Sequence, residues 1–581
     1  MNQEKLFIKP EAVDSMTVLY QILAHAAEHY PDDVAYRQIE SKTEESSITF
    51  RQVYDNVNAL RAVFLRREMA GAHIAVMGET SVEWITVYLA TVSGVGVCVP
   101  IDKELTVDTI AKQLDYADAD YIFCSAKCLK KLLKALPDCP DVKGVFVMRS
   151  EDTSAVEDLP CESMSQLIEE GRELLRAEGE GVLPASIDPE ETCVIIYTSG
   201  TTGANKGVML SNRNIMGTLR GCARLLHYPK TSISVLPINH SYELHAHIMS
   251  CLYCGTTVCL NDDLKHLLKN LEHFAPEMSC MVPMMLELLV RRLEKAIKDS
   301  GKEEKFRATV KLSNALRAIH IDLRRTFFAE ILKPLGGNLK MIICGGAALR
   351  QETIDFLGNI GVQVYNGYGI TECSPVAAVN PISRARKHSV GHILPTTQVR
   401  IADPDSNGNG EIQLHGDNIM KGYYKAPADT AKVFTKDGWF RTGDIGRKDK
   451  DGFVYISGRL KNLIILSNGK NVFPEEVEEE LQKRIPYIKE CVVCADEDNT
   501  GIYAMVFLDR DFCRDKGLDT DEEKKAYIQA DLREFNKEMP SFKRISDVEI
   551  RDREFEKSTT QKIQRFKITS AKKKKETVTN V

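Results

Sequence analysis

Short apolar runs alternate with amphipathic stretches along the first two thirds of the chain. From residue 73 the order is HIAVMG, SVEWITVYLATVSG, VGVCVPI, a polar–apolar stretch over 106–118, and YIFCS. A second series of apolar runs occurs at 193–200, 232–237, 256–261 and 340–346. Strand-like runs separated by helical stretches are typical of βα units around a mostly parallel sheet. The pattern therefore predicts an α/β protein with two βα-sheet lobes, at roughly 50–180 and 190–380.

The hydrophobic pattern changes after residue 390. Residues 391–456 are rich in Gly and Asp and contain short alternating segments, which predicts antiparallel hairpins in a small β-barrel-like subdomain. From residue 458 onward, strand-like runs alternate with charged helices such as PEEVEEELQKR, which has Pro at its first position and acids in its first turn. We expect an N-terminal domain over 1–457, a small mobile α+β domain over 458–566 and a basic tail over 567–581.

Charge excludes one broad class of protein. The chain has 581 residues, with 76 Lys and Arg against 83 Asp and Glu, and its net charge of −7 excludes a strongly basic nucleic-acid binder. Positive charge is concentrated at the end, where residues 557–581 hold eight Lys or Arg and one acid. We expect Lys572 to Lys575 to form a solvated, disordered end, and weak attraction to anionic lipid is the alternative.

The cysteine content and the lengths of the apolar runs indicate the cellular compartment. Sixteen scattered cysteines are typical of buried thiols in a reducing compartment. The N-terminus lacks the apolar core of a signal peptide, and no apolar run approaches the roughly 20 residues that span a bilayer. The sequence predicts a cytoplasmic protein without a transmembrane segment, for which peripheral membrane contact stays open.

Three patterns could suggest a metal site, but each has a simpler interpretation. DPDSNGNGE at 403–411 begins like a calcium loop but has Leu414 at its twelfth position, so we interpret it as a hairpin turn. The lone CxxC of Cys251 and Cys254 lies in an apolar helical run, which favours buried thiols. His240, His245 and His247 have spacings that match no standard zinc helix.

The most informative segment is YTSGTTGANKG at 197–207, directly after an apolar strand. Glycines let backbone N–H groups surround an anion, hydroxyls add donors and Lys206 adds a positive charge, so the segment predicts a phosphate-binding loop. It is not a Walker A loop, because its lysine precedes a glycine rather than Ser or Thr. The expected nucleotide contacts in this loop are Thr198, Ser199, Gly200, Thr201, Thr202 and Gly203.

Two further segments combine turn residues with polar chemistry. YNGYGITE at 365–372 follows a GGAAL loop at 345–349 and offers an aromatic ring for a purine, a hydroxyl for a phosphate and a carboxylate for Mg²⁺. GWFRTGDIG at 438–446 places Asp444 in a Gly-bounded turn, where a carboxylate can accept hydrogen bonds from the two hydroxyls of a ribose.

These segments resemble the motifs of the adenylate-forming superfamily, which includes acyl-CoA synthetases, peptide-synthetase adenylation domains and luciferases. Five such motifs occur in the expected order, and the resemblance covers residues 17–566. It implies that Tyr368 lies against adenine, Thr371 contacts the α-phosphate, Glu372 holds Mg²⁺, and Asp444 and Arg459 bind the ribose. It also implies nucleotide contacts from Gly346, Ala347, Asn366, Gly367 and Gly369.

The same resemblance assigns roles in the last 120 residues. Lys461 falls at the hinge position, and Ser467, Asn468 and Gly469 match the segment that faces the active site in the thiol step. EKSTTQKIQR at 556–565 resembles the C-terminal catalytic loop, in which Lys562 matches the catalytic lysine. The loop departs from the family pattern where Lys557-Ser558 replaces the leading Pro region and Gln561 replaces Gly.

The resemblance implies two half-reactions with ATP, Mg²⁺ and coenzyme A. A carboxylate attacks the α-phosphate to give acyl-AMP and pyrophosphate, and a thiol then attacks the acyl carbon and expels AMP. Residues 284–340 are similar to bacterial long-chain fatty acyl-CoA synthetases, so a medium- or long-chain fatty acid is the expected substrate, with His240 beside the acyl pocket. An acyl carrier protein in place of coenzyme A, and a non-catalytic nucleotide-binding homologue, are the alternatives.

Overall fold

A computed structural model describes residues 14–41, 44–149, 161–184, 186–198, 206–467, 469–496, 498–557, 563–565 and 567–568. Contacts divide the chain into two compact units, one formed by residues up to 398 and 414–440, the other by 399–413 and residues from 441 onward. Each is described separately.

The strands, in chain order, are β1 Val34–Ile39, β2 Glu45–Thr49, β3 His73–Met77, β4 Val97–Ile101, β5 Tyr121–Ser125, β6 Gly144–Met148, β7 Cys161–Ser163, β8 Thr192–Thr198, β9 Lys206–Ser211, β10 Thr231–Ser234, β11 Thr257–Leu260, β12 Met278–Met281, β13 Met341–Cys344, β14 Gln363–Tyr368, β15 Ala378–Val379, β16 Gly391–Ile393, β17 Thr397–Ala402, β18 Gly410–Gly416, β19 Gly422–Tyr423, β20 Phe440–Lys448, β21 Phe453–Arg459, β22 Ile464–Ile465, β23 Asn471–Val472, β24 Ile488–Ala495, β25 Ile502–Leu508 and β26 Ile545–Arg551.

The α-helices, in chain order, are α1 Leu19–His29, α2 Phe50–Arg66, α3 Val82–Val92, α4 Val107–Tyr116, α5 Ala126–Ala135, α6 Met164–Glu178, α7 Asn212–Leu225, α8 Ser250–Tyr253, α9 Leu267–Phe274, α10 Pro283–Asp299, α11 Glu303–Ala318, α12 Arg324–Phe327, α13 Ala329–Leu332, α14 Gln351–Ile360, α15 Pro427–Val433, α16 Pro474–Arg484, α17 Arg510–Lys516 and α18 Asp521–Glu538. A π-helical segment, Tyr242–Met249, runs directly into α8.

The first unit contains two mostly parallel sheets, which confirms the predicted α/β class. One sheet has the strand order β19-β9-β8-β4-β3-β5-β6-β7, with β3 parallel to both β4 and β5. The other runs β16-β15-β14-β13-β12-β10-β11-β1-β2, and its central strands β10 to β14 are parallel. Strands β10 to β13 are almost entirely buried, as expected for a parallel sheet with both faces covered, although β10 consists of Thr and Ser around one Ile.

The assignment of strands to the two lobes is wrong for β8 and β9, and the pattern did not include the first hairpin. β8 and β9 were predicted in the second lobe, but β8 pairs in parallel with β4 and antiparallel with β9, so both belong to the first sheet. The hairpin β1–β2 lies before both predicted lobes, and β1 joins the second sheet by pairing with β11. An apolar strand can bury its faces in either sheet, so the local pattern does not decide which partner it takes.

The second unit is built from antiparallel hairpins and a small covered sheet. β17, β18, β20 and β21 follow one another in that order, and β20 pairs antiparallel with β21. DPDSNGNGE forms the turn between β17 and β18, where Asp405 accepts from the backbone N–H groups of Asn407 and Asn409, as predicted. The sheet β24-β25-β26 shares a buried apolar core with α16 and α18, and α16 begins at Pro474 as the sequence predicts.

All sixteen cysteines are free thiols, and each is buried except Cys161 and Cys494, which are partly buried. Burial raises the pKa of thiols such as Cys98 and Cys280 well above the ordinary value. Within the described ranges, no helix combines the length and the apolar character that crossing a bilayer requires.

Candidate active site

Two motif loops of the first unit leave neighbouring parallel strands at the same edge of the sheet. β13 is followed by Gly345, Gly346 and Ala347, and β14 ends in the Asn366–Tyr368 motif; Cys344 on β13 pairs with Asn366 on β14. Ligands of open α/β sheets bind beyond the carboxyl ends of such strands. The fold therefore brings Gly346, Ala347, Asn366 and Gly367 to an edge suited to ligand binding.

Close backbone approach explains the glycines of these loops. A Cβ on Gly369 would lie 1.8 Å from the Pro375 carbonyl oxygen, so no side chain fits there. Gly346 has a φ of +91°, which glycine adopts without strain. A Cβ on Gly345 would lie 3.3 Å from Cζ of Tyr242, whose hydroxyl donates to the Ile343 carbonyl over 3.0 Å.

The His240 segment reaches the motif that contains Thr371. The Ser241 hydroxyl donates to Oγ1 of the buried Thr371 over 3.4 Å, and the Tyr242 backbone N–H donates to Nδ1 of His240 over 3.2 Å. The expected substrate-region histidine and the expected phosphate-contacting threonine thus lie in adjoining turns of one unit.

Tyr423 links the two charged residues that the sequence assigns to phosphate and metal. Its hydroxyl donates to Oε1 of Glu372 over 2.9 Å. The Lys206 ammonium lies 4.8 Å from the centroid of the Tyr423 ring and 3.1 Å from Oδ2 of Asp429. Burial and the neighbouring Glu372 raise the pKa of Tyr423, so the hydroxyl stays a donor at neutral pH.

The base of the phosphate-binding loop is a strand pair. Thr198 at the end of β8 pairs with Lys206 at the start of β9. The other expected nucleotide contacts of this loop, Ser199, Gly200, Thr201, Thr202 and Gly203, lie outside the described residues.

In the second unit, the two expected ribose-binding residues face each other across a hairpin. Asp444 on β20 pairs with Arg459 on β21, and Nε of Arg459 lies 3.0 Å from Oδ1 of Asp444. Asp444 is buried, whereas the Arg459 side chain is 38% exposed. The buried Asp444 carboxylate is therefore held in one orientation, and the guanidinium of Arg459 that pairs with it is accessible to solvent.

Lys461 lies at the surface, close to charged groups of both signs. Burial and the nearby Arg459 lower its pKa to about 8, although Asp444 and Glu475 act in the opposite direction. Two residues of the expected thiol-step segment are held by backbone bonds: the Ser467 N–H donates to the Asn499 carbonyl over 2.7 Å, and the Gly469 N–H donates to the Leu466 carbonyl over 2.8 Å. Asn468 lies outside the described residues.

Lys562 also lies outside the described residues, but both flanks of its loop are described. Lys557 pairs with Ile563 in an antiparallel bridge. Lys557 forms ion pairs with the buried Glu490 and with Glu554.

Arg565, three residues after Lys562, pairs with the buried Glu478, which also accepts from the Val493 N–H over 2.6 Å. Burial raises the pKa of Glu478 to about 7, and Arg565 opposes that shift. The loop is therefore closed at its base by a backbone bridge with a charged anchor on each side.

Comparison with known proteins decides the family. Residues 23–424 match the AMP-binding enzyme family, and residues 461–575 match the AMP-binding enzyme C-terminal domain. This chain belongs to the AMP-binding enzyme family. It is 30% identical over 447 residues to the long-chain-fatty-acid–CoA ligase FadD15 of Mycobacterium bovis, covering 74% of this chain and 71% of that protein. It is 28% identical over 520 residues to the mouse long-chain-fatty-acid–CoA ligase ACSBG1, covering 85% and 71%.

Solved structures of AMP-binding enzymes share the fold. The anthranilate CoA ligase AuaEII in complex with anthranoyl-AMP has a TM-score of 0.74 at 20% identity, covering 97% of this chain and 99% of that chain. The adenylation domain of the carboxylic acid reductase from Segniliparus rugosus, in complex with AMP and a carboxylic acid, has a TM-score of 0.78 at 19% identity, covering 98% and 95%.

Sequence reasoning missed Tyr423 and Asp429. Both lie in KGYYKAPADT at 421–430, where a Gly-aromatic pair forms β19 and a Pro begins α15. A Gly-Tyr-Tyr run directly before a helix start is a local signal, but its contact with Glu372 spans 51 positions. That distance in sequence hides the contact from local patterns.

The carboxylate of Glu372 fits a Mg²⁺ ion. Its Oε1 is held by the Tyr423 hydroxyl, whereas its Oε2 makes no hydrogen bond or ion pair with any residue the structure describes. A fixed carboxylate with one oxygen available is the kind of hard ligand that Mg²⁺ takes beside substrate phosphates.

Proposed function

We propose that this AMP-binding enzyme is an acid–thiol ligase that activates a medium- or long-chain fatty acid. In the first half-reaction a carboxylate oxygen attacks the α-phosphorus of ATP, forming acyl-AMP and releasing pyrophosphate. In the second, a thiol loses its proton and its sulfur attacks the acyl carbon, which expels AMP. The observation that carries the proposal is the convergence of Lys206 and Glu372 on Tyr423.

Each charged group has a part in the first half-reaction. Lys206 neutralises phosphate charge, Thr371 donates to the α-phosphate, and Glu372 would hold Mg²⁺, which supplies further positive charge at the phosphates. Lys562 approaches the reacting carboxylate and α-phosphate from the C-terminal segment. Most of the rate enhancement comes from positioning and from groups that stabilise the charge that develops as pyrophosphate leaves.

The proposed nucleoside contacts are the ones that the sequence motifs assign. Tyr368 packs against adenine, with Gly346, Ala347 and the Asn366–Gly369 backbone around it, while Asp444 and Arg459 bind the ribose. Between the half-reactions, a rotation about Lys461 would remove Lys562 and present the Ser467–Gly469 segment, so that one hinge serves two reactions. Coenzyme A is the proposed thiol because the long-chain relatives are named CoA ligases.

Pyrophosphate exchange tests the proposal directly. Exchange between labelled pyrophosphate and ATP should depend on a carboxylic acid and be strongest with acids of intermediate or long chain within a C2–C18 panel. Lys562→Ala should slow exchange far more than thioester formation from supplied acyl-AMP. Lys567→Ala is the control, because Lys567 lies in the same segment but pairs with Glu556. Folded protein without exchange for any acid would refute the proposal in favour of a non-catalytic homologue.

The thiol acceptor is tested in the same reaction. Coenzyme A and a holo acyl carrier protein, each supplied with the preferred acid, should give thioester chiefly with coenzyme A. If the enzyme formed thioester chiefly with the carrier protein, the proposed adenylation step would stand and only the proposed thiol acceptor would be wrong.

A further inference from the structure

An apolar face lies on the outside of α11. Of the ten large apolar side chains that are exposed among the described residues, five fall within residues 303–327: Leu312, Ile319, Ile321, Leu323 and Phe327. Leu312 is 54% exposed and Ile319 is 63% exposed. Single exposed apolar residues are ordinary, but a cluster in one short segment marks an interaction site.

The exposed residues of α11 form a stripe. Ala308, Leu312 and Ala315 are spaced by four and three positions, which places them on one side of α11, and Ile319, the residue that caps its end, follows four positions later. All four are exposed, and Ile321 and Leu323 continue the apolar surface beyond the helix end. We call these six residues the α11 outer face.

The opposite side of α11 packs against the hydrophobic core. Phe306 packs against Phe328 and Phe356 with ring centroids 5.5 and 5.7 Å apart, and Val310 contacts the same core. Ser313 is buried. Because the inner side supplies the packing, the α11 outer face is not needed to hold the helix in place.

Basic side chains accompany the outer face. Residues 302–325 contain seven Lys or Arg and three Asp or Glu, although the whole chain has a net charge of −7. On the helix, Lys305 and Lys311 flank the stripe on its two sides. Neither they nor Arg307 forms an ion pair with any described residue, so their charge is available to a partner.

We propose that the α11 outer face docks on the surface of an anionic lipid bilayer. A helix with an apolar stripe and flanking lysines lies in the interface, with its apolar side chains among the acyl chains and its ammonium groups at the lipid phosphates. α11 has 16 residues, fewer than a bilayer span needs, so it lies along the surface. A symmetric contact between two copies is disfavoured because it would bring together two surfaces that each carry seven Lys or Arg and only three Asp or Glu.

Vesicle binding of the full-length chain tests this inference without substrate, so its outcome is independent of the proposed activity. The chain should co-sediment with vesicles of phosphatidylcholine and phosphatidylglycerol at 70:30, and far less with phosphatidylcholine alone. Lys305→Gln/Lys311→Gln should lower the partition coefficient about 25-fold, because each surface lysine contributes roughly a factor of five. Leu312→Gln/Ile319→Gln should lower it at least about tenfold.

Matched controls separate this face from other exposed groups. Leu264→Gln changes an apolar side chain that is 57% exposed outside the segment, and Lys130→Gln/Lys134→Gln changes two exposed lysines of α5, a basic helix that lacks exposed large apolar side chains. Both should bind vesicles within about twofold of the unchanged protein. The melting temperatures of all variants should agree, because every substituted position is exposed.

Three results would overturn the inference. The first is unchanged binding in both α11 variants. The second is binding that disappears only when Lys572 to Lys575 are changed to Gln, which would assign it to the tail. The third is self-association that Leu312→Gln/Ile319→Gln abolishes, in a protein that does not bind vesicles, which would make a second copy the occupant.

Discussion

Removing one hydroxyl group tests whether Tyr423 positions the carboxylate of Glu372, the proposed Mg²⁺ ligand. Tyr423→Phe deletes the donor to Oε1 of Glu372 but leaves the ring beneath Lys206 in place. A hydrogen bond to a charged group contributes about 1.5–3 kcal/mol. At about 1.4 kcal/mol per factor of ten, its loss should lower kcat/KM for Mg·ATP by about ten- to hundredfold. The loss of kcat/KM should be closer to tenfold if a water molecule replaces the hydroxyl as donor to Glu372.

The assay is pyrophosphate exchange at several concentrations of free Mg²⁺, together with calorimetric titration of Mg·ATP. If Tyr423 orients Glu372, the variant should need more Mg²⁺ for half-maximal exchange and should bind Mg·ATP more weakly. Tyr424→Phe is a matched control, since the Tyr424 hydroxyl also donates to a carboxylate, Oδ2 of Asp118, over 2.5 Å. Equal losses in the two variants, or an unchanged Mg²⁺ requirement in Tyr423→Phe, would refute the reasoning.

Three further predictions follow from charge and burial. Asp429→Asn should tighten ATP binding up to about fivefold in equilibrium dialysis, because Lys206 no longer pairs with a carboxylate; weaker binding would contradict this. Lys461 should lose its proton as the pH rises through about 8, so competitive acetylation should give a midpoint there rather than near the ordinary lysine value of 10.5. Ellman's reagent should titrate two thiols rapidly in the native protein, Cys161 and Cys494, and all sixteen after denaturation.

Helices and strands were predictable from the sequence wherever the local spacing of apolar residues determines the secondary structure. The strands at β3, β4 and β5 and the helices between them follow from apolar runs and amphipathic spacing, and α16 follows from its Pro and first-turn acids. The hairpin that joins Asp444 to Arg459 also has a local origin, because β20 and β21 are adjacent in sequence. The sheet to which β8 belongs was not predictable, since the sequence of an apolar strand does not specify which strand it pairs with.

The same distinction applies to the candidate site. Glycine-rich loops can be recognised in the sequence because close backbone contacts require glycine. At residue 369, for example, only glycine fits against the Pro375 carbonyl. The bond from Tyr423 to Glu372 and that from Ser241 to Thr371 join residues 51 and 130 positions apart, and no periodicity links them. Ser241 and Thr371 follow β10 and β14 of one sheet, whereas Tyr423 lies on β19 of the other sheet, so both contacts depend on the tertiary fold.

The structure gives a reason for one departure from the family pattern around Lys562. The sequence has Lys557 where the family pattern begins with its Pro region, and that lysine pairs with the buried Glu490, which also accepts from the Phe555 N–H over 2.8 Å. A buried carboxylate needs such a partner, because an unpaired charge in the interior is costly.

Arg565 completes the arrangement on the other side of the loop by pairing with Glu478. Lys557 and Arg565 therefore fix the described residues on either side of 558–562 to buried carboxylates, Glu490 on β24 and Glu478 on α16. The ion pair of Lys557 is thus part of the packing of this unit, which explains a lysine where the family pattern has its Pro region.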